Sequence, residues 1–203
     1  PLIIFHAITG SIALLAGLIP LISTKGSTIH KRGGIIFVYG MLLSAITAIV
    51  VSVLPDHKSN FLLAIGLFSI YLIISGWRAL QFKKRGAKLW DWVTSGAMAL
   101  VGLSMIMVPI LQDYEVNVVL AVFGAIGLSL ASRDMTLYGK YKKLRKSWMV
   151  LHLSKIVGAY IAAVTAFLVV NQLIPGLWAW FTPTVVGTIY ITFWNIKLAR
   201  KSK

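Results

Sequence analysis

Seven apolar stretches decide what this chain can fold into: residues 2–22, 34–54, 61–82, 92–111, 116–132, 148–170 and 177–196. Crossing a hydrocarbon core about 30 Å thick takes about 20 helical residues, and each stretch is close to that length. None alternates polar and apolar residues as a barrel strand does, and a helix satisfies its own backbone hydrogen bonds in lipid. The expected fold is all-α: one seven-helix transmembrane domain over residues 1–203, with no room for a soluble domain. Only 12% of the residues are charged. Soluble domains carry about a quarter, so composition also argues against a soluble bundle.

Charge predicts the orientation. The chain has 20 Lys plus Arg against 5 Asp plus Glu, a net charge of +15. Nineteen of the basic residues fall at alternate junctions and in the tail, and Lys58 alone falls on the other side. The positive-inside rule then predicts an outside N-terminus, a cytoplasmic C-terminus and a multi-pass protein of the bacterial inner membrane. Six spans would put one basic cluster on the wrong side. Basic loops flanking membrane spans also attract anionic lipid head groups, at about 1 kcal/mol per residue near the surface. Nothing in the sequence builds a basic domain that presents a surface to bases, so no nucleic-acid partner is expected. The absence of cysteine removes disulfides and thiolate ligands. The first stretch lacks a basic leader and a small-residue cleavage site, and is expected to stay as an anchor.

The sixth stretch carries His152, Lys155 and Tyr160 in an otherwise lipid-like run. An ionisable residue at the centre of a span costs roughly 2.5 to 3.5 kcal/mol on insertion scales, so it is expected to face protein or water. Small residues mark packing faces: Gly10, Ala13 and Gly17 in the first span, Gly124, Gly127, Ala131 and Ser132 in the fifth, Gly158, Ala162 and Ala166 in the sixth. Gly26 and Ser27 predict a turn and a cap that place His30 on the first turn of the second helix. Arg78, at the end of the third span, can snorkel to the inner interface or pair inward with a carboxylate, and snorkelling is the expectation. Lys155 is placed near the inner end of the sixth.

Two constellations follow. On the inner side lie His30, Asp91, Asp134, His152 and Lys155, with Arg78 and Arg133 at similar depth. Histidines and carboxylates are ligand types for a divalent metal such as zinc or iron, and a lysine near a carboxylate can handle protons. None of these ligands has the i, i+3 or i, i+4 spacing of a specific metal motif. The plainer expectation is that Asp91 and Asp134 pair with arginine and lysine at the interface. The four histidines also divide by depth, His6 and His57 outside, His30 and His152 inside, as two bis-histidine b haems would require. His6 and His152 cannot share one metal, because about 18 Å of membrane separates them.

Several motifs carry a resemblance: His6 with Gly10, Lys25-Gly26-Ser27 before His30-Lys31 and Gly33, Gly76-Trp77-Arg78-Ala79, and the run from His152 through Tyr160 to Phe167. Across spans one to six the chain resembles a family of bacterial multi-span membrane proteins known as a domain of unknown function, in its Bacteroidetes-like version. The resemblance implies a seven-helix or near-seven-helix inner-membrane protein and draws interest to His6, His30 and His152. It implies no activity or cofactor.

The leading functional expectation is an integral membrane protein that handles a lipid or small molecule, or an accessory subunit of a larger membrane complex. A b-type haem electron carrier is the second. The third is a metal-dependent hydrolase at the cytoplasmic face, using His30, His152 and one of Asp91 or Asp134 as ligands. An enzymatic role is not the leading expectation.

Overall fold

The computed structural model describes residues 1–201. The Lys203 counted in the basic tail lies outside them. The described residues form seven α-helices: α1 (Leu2–Ile22), α2 (Thr28–Ser52), α3 (Asn60–Ala79), α4 (Leu89–Asp113), α5 (Val118–Tyr138), α6 (Tyr141–Val170) and α7 (Trp178–Lys201). Short 3-10 segments follow α2 at Pro55–His57 and α3 at Leu80–Lys83. Among the described residues six helices, α1 to α6, are long and apolar enough to cross a membrane. In α7 the apolar run is diluted by Thr182, Thr184, Thr188, Thr192 and Asn195 before the basic end.

Three of the differences from the apolar stretches bear on polar residues of interest. Helix α2 starts six residues ahead of the apolar run, because Gly26 turns the chain at φ 82° and Ser27 Oγ accepts the His30 amide at 3.2 Å. Helix α5 continues to Tyr138, so Asp134 is inside a helix and 1% exposed, not at an interface. Helix α6 begins at Tyr141, since nothing between there and Trp148 breaks a helix. Lys155 is the fifteenth residue of this thirty-residue helix, and seven residues past Trp148, where its apolar part begins.

Successive helices run in opposite directions and meet through small residues. Gly40 faces Ala13 between α2 and α1, Gly158 faces Leu72 between α6 and α3, and Gly187 faces Ile161 between α7 and α6. Gly102 and Gly124 bring the backbones of α4 and α5 into direct contact: a Cβ at Gly124 would lie 2.6 Å from the Gly102 carbonyl oxygen. The expected packing faces turn inward except at Ser132 and Ala166, which are exposed. Tyr190 ties α7 to α1, its hydroxyl donating to the Leu21 carbonyl at 2.9 Å.

Phe37, Tyr71, Leu72, Met98, Phe123 and Ala159 lie in the buried core. Large apolar side chains also cover the outside, as at Leu15 (70% exposed) and Ile189 (66%). A bundle with an apolar exterior is matched to lipid, and the protein is a multi-pass membrane protein built as a helix bundle. The end where α1 finishes and α2 begins carries the basic loops and is called the basic end below; the other is the far end.

Candidate functional site

Four helices meet around one carboxylate. Asp134 of α5 ion-pairs through Oδ2 with Lys155 of α6, and both are almost completely buried, at 1% and 3% side-chain exposure. Tyr71 of α3 donates its hydroxyl to the same oxygen at 2.9 Å. Ser95 of α4 and Tyr138 of α5 approach it at 3.3 and 3.4 Å and bond each other at 3.1 Å. The Lys155 ammonium also lies 4.9 Å from the centre of the Tyr71 ring, a cation–π contact. The other carboxylate oxygen, Oδ1, is buried with no hydrogen-bond partner. All the donors converge on one side of the group and leave the other side open.

Local sequence positions these groups. Asp134 and Tyr138 are four apart on one face of α5, and Tyr71 and Ser75 are four apart on α3. Ser75 satisfies its own hydroxyl on the Tyr71 carbonyl at 2.5 Å, so it leaves the tyrosine hydroxyl to Asp134. Gly76 lets α6 approach: a Cβ there would lie 3.0 Å from the Lys155 Cβ.

Toward the basic end lies a second pair. Arg78 grips Asp91 through Nε to Oδ1 at 2.5 Å and Nη2 to Oδ2 at 2.9 Å. Asp91 sits in the first turn of α4, where its Oδ2 also accepts the Lys88 amide at 2.8 Å. An anion there is favoured by the helix dipole. The expected snorkelling of Arg78 is thus corrected: a bidentate partner held at a helix N-terminus outcompetes solvent.

The expected carboxylate pairings therefore form, Asp91 with Arg78 and Asp134 with Lys155, the second deep in the bundle. They also take both carboxylates away from the metal-ligand set. Among the described residues no group of three or more His, Asp or Glu gathers to hold a metal ion. His152 Nδ1 donates to the Gly76 carbonyl at 2.9 Å and His30 Nδ1 to the Pro20 carbonyl at 3.2 Å. His6 does likewise with the Ser44 carbonyl at 2.9 Å. A carbonyl can only accept, so Nδ1 carries the hydrogen in all three. The expected outer pair is not assembled: His6 is bonded into α2, while His57 is exposed on the 3-10 turn Pro55–His57. Tyr160 belongs to another contact, edge-on to Phe37 at 5.9 Å.

Tyr71, Ser95 and Tyr138 were not singled out from sequence. Their signal was the helical spacing that puts Tyr138 one turn from Asp134 and Ser95 one turn from Asp91.

A crevice opens at the far end between α3, α4 and α5. Its volume is about 400 Å³, with an apolar wall that includes Leu67, Met105 and Leu120, and with Asn60, Gln112 and Asn117 as polar groups. A second hollow of about 420 Å³ adjoins it at Pro109 and Asn117. The close Gly102–Gly124 contact draws α4 toward α5 and leaves the space beside α3. Neither hollow is lined by a histidine.

No family model, no curated protein and no solved structure matches the chain.

Proposed function

We propose that the protein crosses a bacterial inner membrane seven times, N-terminus outside and tail in the cytoplasm, and holds a lipid or other small amphiphile in the crevice. The crevice carries this reading. Its volume is in the range of ligand sites, about 300 to 1,000 Å³, and such sites combine apolar walls with a few placed polar groups. Three amides lining it suit an uncharged hydrogen-bonding head, and the apolar wall suits a chain or ring system. The seven-span orientation rests on the basic loops. A role as a subunit of a larger membrane complex uses the same apolar exterior and is separated by the same purification.

The molecule is sought by extracting the protein in mild detergent and subjecting it to mass spectrometry. The native chain is expected to retain a stoichiometric lipid-like compound, and Ser104→Trp, which places a ring at the exposed edge of the crevice, is expected to lose it while remaining folded. An empty native preparation, or retention in the variant, overturns the reading; recovery of a larger assembly without a bound compound favours the subunit role.

The cysteine-free sequence makes the orientation simple to test. Lys58→Cys should react with a membrane-impermeant maleimide on intact spheroplasts, and Lys140→Cys only after permeabilisation. The opposite pattern rejects the orientation.

A further inference from the structure

We propose that the protein binds an anionic phospholipid at its basic end, with the lipid phosphate held by the ammonium groups of Lys25 and Lys197 and the acyl chains along α1 and α7. The site lies at the opposite end from the crevice and takes a charged head where the crevice suits an uncharged one, so either reading can fail alone.

The placement of the two lysines is the first observation. Lys25 follows the end of α1, and its Nζ donates to two of the last carbonyls of that helix, Pro20 at 2.6 Å and Leu21 at 2.7 Å. The last carbonyls of a helix lack partners within it, so the ammonium is pinned by the helix it follows. An ammonium has three hydrogens, and one of them is left for an outside acceptor. The same group lies 4.9 Å from the centre of the Trp194 ring and 5.6 Å from that of Tyr190, both on α7. The exposed Lys197 brings its ammonium to 4.8 Å from the same Trp194 ring. One half-buried indole therefore carries two ammonium groups.

The second observation is the missing counter-charge. Asp91 is held by Arg78, Asp134 is held by Lys155, and Glu115 lines the hollow at the far end. Among the described residues no carboxylate pairs with Lys25 or Lys197. The carbonyl end of α1 supplies only about half a negative charge. Two cations gathered at one ring repel each other, and an anion that accepts hydrogen bonds from both removes that cost.

The third observation decides what kind of anion. Lys25 stands just beyond Ile22, the last residue of α1, and tryptophan beside it is the residue that settles at the level of lipid head groups. From this level toward the far end, Leu18 and Ile22 of α1 and Ile189 and Phe193 of α7 are exposed. A free phosphate leaves that apolar surface uncovered, whereas the chains of a lipid cover it. An ethanolamine head brings an ammonium of its own to two others. The class that fits is a phospholipid whose head has a phosphate and no cation, such as phosphatidylglycerol.

Native mass spectrometry of the full chain in mild detergent tests this by titration with phosphatidylglycerol, phosphatidylethanolamine and water-soluble glycerol phosphate. One phosphatidylglycerol is expected to bind first, about tenfold or more tighter than phosphatidylethanolamine. Lys25→Gln/Lys197→Gln should weaken it by about tenfold or more, since both contact charges are gone. Lys142→Gln/Lys143→Gln removes the same charge from the exposed start of α6 and should leave it unchanged, as should Ser104→Trp at the crevice. Lys197→Gln alone carries the test should the double variant fail to fold, with a loss of about threefold or more expected. Equal weakening by the two double variants would assign the affinity to overall charge and overturn the proposal. So would equal affinity for the two lipids, an unchanged affinity in Lys197→Gln, or displacement of the lipid by glycerol phosphate at the same concentration, which would make the site one for a free phosphate.

Discussion

Asp134→Leu with Lys155 left in place is expected to destabilise the folded protein by about 3 to 5 kcal/mol, the typical cost of removing one partner from a buried ion pair. The ammonium would remain 3% exposed, with only the Tyr71 ring beside it. Adding Lys155→Met should restore most of that stability, because two apolar side chains in place of a buried pair are often neutral or stabilising. Reversible unfolding in detergent, followed by circular dichroism, measures both. A single variant as stable as the native chain would mean that water reaches Lys155, contrary to the closed packing around it.

Gly124→Leu is the second large effect. A Cβ at this position would lie 2.6 Å from the Gly102 carbonyl oxygen, and one at Gly102 would lie 2.8 Å from that of Gly124. The opposing atoms belong to helix backbones and cannot rotate aside, so α4 and α5 have to separate. The cost is expected to be about 3 kcal/mol or more, at the upper end for overpacking. Gly34→Leu is the matched control, because a Cβ there meets nothing within 4 Å. Thermal unfolding midpoints should fall sharply for the first and stay near native for the second. Equal midpoints would remove the close α4–α5 contact as the cause of the crevice beside α3.

The helices themselves were legible because their signals are local. Apolar length marks α1 to α6, Ser27 and Gly26 mark the start of α2, and the runs around Gly10, Gly124 and Gly158 mark faces that pack. The boundaries were less legible where charge stands in for apolar content. Helix α6 runs through Lys142, Lys143, Arg145 and Lys146, residues with good helix propensity that an apolar count reads as loop.

The candidate site was half legible. Asp134, Lys155, Asp91 and Arg78 stood out because charges are rare in such a sequence, and they do form pairs. The hydroxyls of Tyr71, Ser95 and Tyr138 did not, since serine and tyrosine are common in membrane helices and their partners lie up to 63 residues away in the chain. The histidines show the converse. Their depths suggested shared ligands, and the structure adds that three of them donate Nδ1–H to the backbone carbonyls of Pro20, Ser44 and Gly76, which leaves Nε2 of each as the acceptor nitrogen.

By itself the sequence determined that this chain is a set of long apolar helices, because in lipid each backbone must satisfy its own hydrogen bonds, and that demand is met within a single segment. Only the tertiary structure decided that Arg78 turns inward, that Asp134 holds Lys155 beside Tyr71 with one oxygen left free, and that α4 leans away from α3. Those outcomes depend on the rotation and register of one helix against another, which close contacts at Gly76, Gly102 and Gly124 set and no single segment encodes.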